Sequence, residues 1–135
     1  MTIGGCAKAT TPDDVYCLLS TDKNFLKFVR LEVKKTAAAA DFSYSDASDG
    51  TWAEINSFSD KRTVYNPLAF IDLLVENDDT YIAMINSISE KSGTIRVSIF
   101  YQSYADNKLF AEKLKRGLLG GAPGLNPIFE GKCGG

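Results

Sequence analysis

The chain has 135 residues, 44% of them hydrophobic, and a formal net charge of −2. That is enough for one domain with a core of its own and too short for two, and the negative balance excludes a surface that is basic all round. The chain holds no histidine, which removes imidazole as general base or metal ligand, and no run of residues is long and apolar enough to cross a membrane.

Residues 1–14 are rich in Gly, Thr and Asp and read as an extended arm. They contain no basic segment followed by an apolar run, so folding in a cytoplasm is expected rather than secretion. Val15–Ser20 is a short apolar strand. After the Ser-Thr-Asp-Lys-Asn turn, Phe25–Lys35 alternates, with Val29, Leu31 and Val33 on one side, as the second strand of a hairpin. Ala37–Gly50 reads as a loop in which Asp41–Tyr44 can pair briefly. Thr51–Phe58 reads as a third strand, and Asp60-Lys61-Arg62 as a charged, solvated turn.

Pro67 has no amide to donate and so marks a strand start or an edge. From Leu68 to Glu76, Ala69, Ile71, Leu73 and Val75 can face a core, with Phe70, Asp72 and Leu74 opposite. The run is apolar on both faces, so a helix over Leu68–Val75 is the alternative. Asn77–Asp79 turns the chain into a strand over Thr80–Ser89, and Glu90–Gly93 turns it again, as a tight hairpin, into a strand over Thr94–Tyr104. There Ile95, Val97, Ile99 and Tyr101 share one face, and Thr94, Arg96, Ser98 and Phe100 the other. Pairing Ser89 with Thr94 puts Ile82, Met84, Asn86 and Ile88 on the face that helices cover, and Tyr81, Ala83, Ile85 and Ser87 on the open face.

The last third is helical. Asp106 is a fitting N-cap, Phe110, Leu114 and Leu118 recur at i, i+4 and i+8, and Lys113, Lys115 and Arg116 sit toward the negative end of the dipole. Gly120-Gly121 stops the helix, and Gly124–Phe129 forms a short second one, with Asn126 capping and Pro127 at the first helical position. The whole reads as one α+β domain: an arm over 1–14, an antiparallel sheet of five or six strands over 15–104, and C-terminal helices and tail over 105–135.

Catalytic and metal chemistry find little footing. Asp13-Asp14 and Asp78-Asp79 are adjacent acids of the kind that cap turns, and the Gly-Gly pairs at 4, 120 and 134 lack the Lys-Ser/Thr of a phosphate loop. The three cysteines, Cys6, Cys17 and Cys133, show no Cys-x-x-Cys spacing, so no zinc site is expected. Cys17, among apolar neighbours, reads as a small buried hydrophobe with a free thiol. No enzyme activity, cofactor or membrane partner is expected.

The strand into Ser103-Tyr104-Ala105-Asp106 and the helix ending Gly117-Leu118-Leu119 resemble the C-terminus of single-stranded RNA bacteriophage (levivirus-type) coat proteins, most closely over the last third of the chain. Strand order carries the likeness back to about Val15, and the Gly50-Thr51-Trp52-Ala53-Glu54-Ile55 opening loosely resembles the third strand of that family. The resemblance implies a dimer whose sheets meet edge to edge, each subunit laying its helices over its partner's sheet. Phe110, Leu114, Leu118, Leu125, Ile128 and Phe129 would then form the dimer interface.

It further implies an icosahedral virion, assembled in a bacterial cytoplasm around single-stranded genomic RNA, with repression of replicase translation through an RNA hairpin. The open face would contact RNA, with Ser92, Thr94 and Arg96 at the family's hairpin-binding positions. Ser92 and Thr94 depart from the aromatic and amide side chains usual there, and the short Glu90–Gly93 hairpin departs from a longer loop. On chemistry alone, Arg96 and Lys91 are phosphate partners, Thr94, Ser87 and Ser98 hydroxyl donors, and Tyr81 a stacking platform. Cys6 and Cys133, in glycine-flanked ends, could cross-link neighbouring subunits. The competing reading is a small non-enzymatic α+β binding or adaptor module, or another phage virion component.

Overall fold

The computed structural model describes residues 13–22, 24–51, 70–78, 80–89, 93–121, 125, 127–131 and 133. The expected strand over Thr51–Phe58, the charged turn at Lys61 and Arg62, the Pro67 strand start, and Cys6, Lys91 and Ser92 lie outside these residues, apart from Thr51. The elements are β1 (Asp13–Ser20), α1 (Phe25–Ala39), β2 (Ser43–Asp46), β3 (Asp72–Asn77), β4 (Thr80–Ser89), β5 (Ile95–Gln102), α2 (Ala105–Gly120) and β6 (Ile128–Gly131). The fold is α+β: one six-stranded antiparallel sheet, ordered β2-β3-β4-β5-β1-β6, with α1 and α2 on one face.

The segment read as a second strand is helix α1. Its alternation is real, but Phe25, Leu26, Val29, Val33 and Ala37 also follow the helical period, and these are the residues that are buried. Leu31, which a strand would have turned inward, is 60% exposed. The alanines at 37–39 continue the helix with the strongest helix former, and Phe42 N–H closes it by donating to the Ala37 carbonyl at 2.9 Å. The brief pairing expected near Asp41–Tyr44 is β2, and the Leu68–Glu76 segment supplies strand β3.

Helix α2 runs antiparallel to α1. A Cβ on Gly117 would lie 2.5 Å from Glu32 Oε2, and one on Gly121 would lie 3.3 Å from the Phe28 ring, so these two glycines leave room for the Glu32 and Phe28 side chains of α1. At the other end Phe42 meets Phe110 edge-on, ring centroids 5.8 Å apart. Asp106 falls inside the first turn of α2 rather than at its cap, which Tyr104 occupies.

Phe110, Leu114 and Leu118 are 3%, 0% and 0% exposed. They pack on this chain's own sheet and on α1, which completes a helix layer that one C-terminal helix could not. Ile128 and Phe129, expected in a second C-terminal helix, are strand. Six residues ahead of Gly131 are too few to nucleate one, and Ile128–Gly131 pairs with β1 instead. That pairing brings Cys133 beside Cys17, their Cα atoms 5.0 Å apart, and the two form a disulfide. Cys17 is therefore not a free thiol, and Cys133 is paired within the chain.

The core gathers Tyr16 and Leu18 of β1, Ile71, Leu73, Val75, Ala83, Ile85, Val97 and Ile99 from or beside the middle strands, and the inward faces of the helices. The Tyr16 hydroxyl donates 2.8 Å to the Ala111 carbonyl, tying β1 to α2. Burial pushes its pKa far up, with the charge of Glu112 adding to this, so it stays a donor at any physiological pH. Leu118→Ala should cost about 2–5 kcal/mol in urea unfolding. Asn107 is 4% exposed, and its Nδ2 has no hydrogen-bond partner. Asn107→Leu should therefore raise the stability by about 1–3 kcal/mol, read in the same assay.

Candidate functional site

The candidate site is the sheet face away from the helices, and its composition is set by register. Ser89 pairs with Ile95, not Thr94, across the turn at Gly93 (φ 82°). Because side chains alternate with a period of two, that slip of one residue exchanges the faces of β4. Ala83, Ile85 and Ser87 move to the covered side, while Met84, Asn86 and Ile88 face outward. Ile82 is the extra residue of a bulge between the Val75–Ala83 and Glu76–Tyr81 pairs. It is 4% exposed within the core, and beyond it Tyr81 stands opposite Glu76 on the open side.

Three cross-strand rows follow. Ile128, Leu19, Arg96 and Ile88 form one. Cys17, Ser98, Asn86 and Asp72 form the middle one. Val15, Phe100, Met84, Leu74 and Ser45 form the third. The outer rows are mostly apolar: Ile88 is 57%, Ile128 64% and Met84 39% exposed, with Leu19, Leu74, Val15 and Phe100 half-buried beside them. The sequence reading, one slip out of register, put Ala83, Ile85 and Ser87 on this face in place of Met84, Asn86 and Ile88.

The polar groups are engaged among themselves. Asn86 Nδ2 donates 3.1 Å to Asp72 Oδ1, and the Thr51 hydroxyl donates 2.6 Å to Asp72 Oδ2. Ser98 is 7% exposed with its Oγ 3.2 Å from Cys17 Sγ. Arg96 forks onto Glu130, Nε to Oε1 at 3.1 Å and Nη2 to Oε2 at 3.4 Å. Ser87, buried on the covered side, accepts 2.8 Å from the Ile71 amide, and Tyr81 donates 2.9 Å to the Phe100 carbonyl. Thr94 is half-buried at a shallow hollow with Leu19, Ser20, Thr21 and Ile128. Of the residues read as RNA contacts, Arg96, Ser98, Thr94 and Tyr81 share the open face without forming a cationic surface, and Ser87 leaves it. Of those read as a dimer interface, Ile128 and Phe129 are exposed, and Leu125 packs half-buried with its carbonyl accepting 2.9 Å from Ser20.

Cationic charge gathers on the helix layer, which the sequence reading did not single out because half of that layer was read as strand. Helix α1 carries four basic residues and one acidic, α2 four and two, in a chain whose net charge is −2. Lys27, Lys34, Lys35, Lys108, Lys113 and Arg116 are exposed. Among the described residues, ion pairs engage only Lys35 of these six. Between the end of α1 and the start of α2 lies a cleft of about 310 Å³, lined by Ala39, Ala40, Phe42, Leu109 and Phe110, with Asp106 and Lys113 at its rim. No group of metal ligands occurs, and no helix is long and apolar enough to cross a membrane, among the described residues.

No protein-family model, curated protein or solved structure matches the chain. Function is therefore read from its own geometry.

One corner of the covered side, where Asp46 pairs with Leu73 at the sheet edge and meets Arg30 of α1, is locked by charge. Asp46 accepts 2.9 Å from Arg30 Nε and 2.9 Å from the Ser48 amide, as well as the Ser48 hydroxyl, while Arg30 Nη2 reaches the Phe70 carbonyl at 3.2 Å. Burial pushes the Asp46 pKa up, but the Ser48 hydrogen bonds and the Arg30 guanidinium together outweigh it and hold the carboxyl below its ordinary 3.8. A pKa depressed by folding contributes stability above the ordinary value, and that stability is lost as pH falls through the folded one. Acidification below about pH 4 should therefore lower the unfolding midpoint, and Asp46→Asn should flatten that dependence, as urea melts at several pH values would show.

Proposed function

We propose that the chain is a non-enzymatic structural subunit that assembles with copies of itself, as the coat of a single-stranded RNA bacteriophage does. The observation that carries this is the contrast between its two faces among the described residues: an exposed, mostly apolar sheet face on one side and a helix layer rich in exposed cations on the other. An exposed apolar patch rimmed by polar groups is a protein interface by its physics. A layer of cations on a chain of net negative charge suits contact with phosphate, whose binding is electrostatic and indifferent to sequence. The subunit packs against its copies through Met84, Ile88 and Ile128, and RNA meets Lys34, Lys113 and Arg116 rather than Arg96. This moves the RNA contact from the sheet, where the resemblance put it, to the helices. Its place is the virion, formed in the cytoplasm of a bacterial host.

A second reading has an observation of its own. The helices cover this chain's sheet and complete a core without a partner, as a small adaptor module requires; its open face would then bind a different protein.

Sedimentation of the protein expressed alone in bacteria, with absorbance at 260 and 280 nm across the gradient, separates the two. Fast particles carrying nuclease-protected RNA are expected; a slow, RNA-free monomer would leave the adaptor. Ile88→Glu should keep the far-ultraviolet circular dichroism of the parent but weaken self-association roughly tenfold or more, about 1.4 kcal/mol. Reversing Lys34, Lys113 and Arg116 to Glu should lower the RNA content of the particles without dispersing them.

A further inference from the structure

We infer that β6 is a redox clasp over the edge of β1, and that opening the Cys17–Cys133 disulfide frees that edge to pair with the same edge of a second copy of this chain. The inference rests on the reading of the chain as a self-associating subunit and names the surface and the control of one of its contacts.

Among the described residues β6 itself is held lightly apart from the disulfide, although Leu125 ahead of it packs on the core. The strand has four residues, pairs with β1 at three positions, and slips register between Cys17 and Leu18, whereas β1 pairs with β5 at eight consecutive positions. None of its residues is buried: Ile128 is 64% and Phe129 43% exposed. Among the described residues its side-chain contacts are few, namely the half-buried Arg96–Glu130 ion pair, the Phe129 ring 5.8 Å from that of Tyr16, and Lys115 Nζ 4.9 Å above the Phe129 ring. None of them buries a side chain of β6. The disulfide bridges 116 residues of sequence, so reduction removes the one covalent constraint on the strand.

The chemistry needs only a dithiol reductant. One thiolate of the dithiol attacks Cys133 Sγ, which lies on a half-buried residue where Cys17 is fully buried. The Cys17–Cys133 bond breaks, Cys17 leaves as thiolate and takes a proton, and the second thiol of the reductant resolves the mixed disulfide by closing its own. Two electrons and two protons pass to the protein, and the dithiol becomes a cyclic disulfide.

Without β6, β1 is an edge strand of eight residues with unpaired backbone donors and acceptors. Its sequence is self-complementary in antiparallel register about Cys17. Val15 falls opposite Leu19, Tyr16 opposite Leu18, Asp14 opposite Ser20 and Asp13 opposite Thr21, so no like charges face each other. A two-fold axis through Cys17, perpendicular to the sheet, satisfies every pair at once, as an isologous interface demands. It also sets both helix layers on one side and joins the two open faces on the other. The opposite edge, β2, offers nothing comparable: four residues, Ser-Tyr-Ser-Asp, with three of them exposed.

The test is the full-length chain compared by analytical ultracentrifugation as oxidised and after dithiothreitol, with thiol counting to confirm reduction, and hydrogen exchange on both. Reduction should promote dimers or larger species, deprotect amides at 128–131 and keep those at 15–19 slow; reoxidation should reverse this. In Cys6→Ser/Cys133→Ser, mild oxidation should give a covalent dimer whose only cross-linked peptide joins Cys17 to Cys17. Assembly equal in both redox states would overturn the clasp while leaving the structural-subunit reading standing. A chain that stays monomeric in both states would overturn the two together. Should the double variant fail to fold, the dithiothreitol comparison decides alone: fast exchange at 15–19 after reduction means β1 is left bare, and the proposed pairing is wrong.

Discussion

The antiparallel register between β4 and β5 is the constraint on which the rest of the molecule depends. With Ser89 opposite Ile95, the β-branched and aliphatic side chains of β3, β4, β5 and β1 converge on one side, where they meet the inward stripes of α1 and α2 in a single buried cluster. A shift of one position would send Ala83 and Ile85 into water and bring Asn86 under the helices. Burying the wrong set costs several side chains' worth of transfer free energy at about 1.5–3 kcal/mol each, far more than a turn's local preference can impose.

The two faces then acquire different chemistry from the same rule. Helix α1 spends its apolar stripe on the core and turns Lys27, Lys34 and Lys35 outward. The sheet spends its better-packed side on the helices and leaves Met84, Ile88 and Ile128 to solvent. On the sheet Arg96 is paired with Glu130, and Asp72 is held by amide and hydroxyl donors, so much of what remains presented is apolar surface. In the proposed assembly, contacts between neighbours and contacts with phosphate would be kept apart in space.

The edges of the sheet are treated unequally. The β2 edge is short and polar and anchored at its end by Arg30 and Asp46. The β1 edge is apolar and is shielded by a strand that contributes nothing to the core and is held by a cross-link. Protecting an edge by a removable element rather than by charge or proline makes its exposure conditional.

The residues themselves determined much of the architecture. Alternation in 80–89 and 95–101 and the i, i+4, i+8 spacing of Phe110, Leu114 and Leu118 identify β4, β5 and α2, because each pattern is local and strongly periodic. The α+β class and the apolar character of the C-terminal helix face follow from the same local signals. Tertiary structure decided what those signals leave open. Phe25–Lys35 satisfies both periods, and only the need to complete a helix layer over the sheet selects α1. Which face of β4 is covered depends on a turn one residue longer than its sequence suggested. Whether Phe110 and Leu118 meet their own chain or another is a question of partner, not of pattern. Cys17 and Cys133, far apart in sequence, become a disulfide only because β6 returns to β1, a contact whose cause lies in packing that no short window of sequence contains.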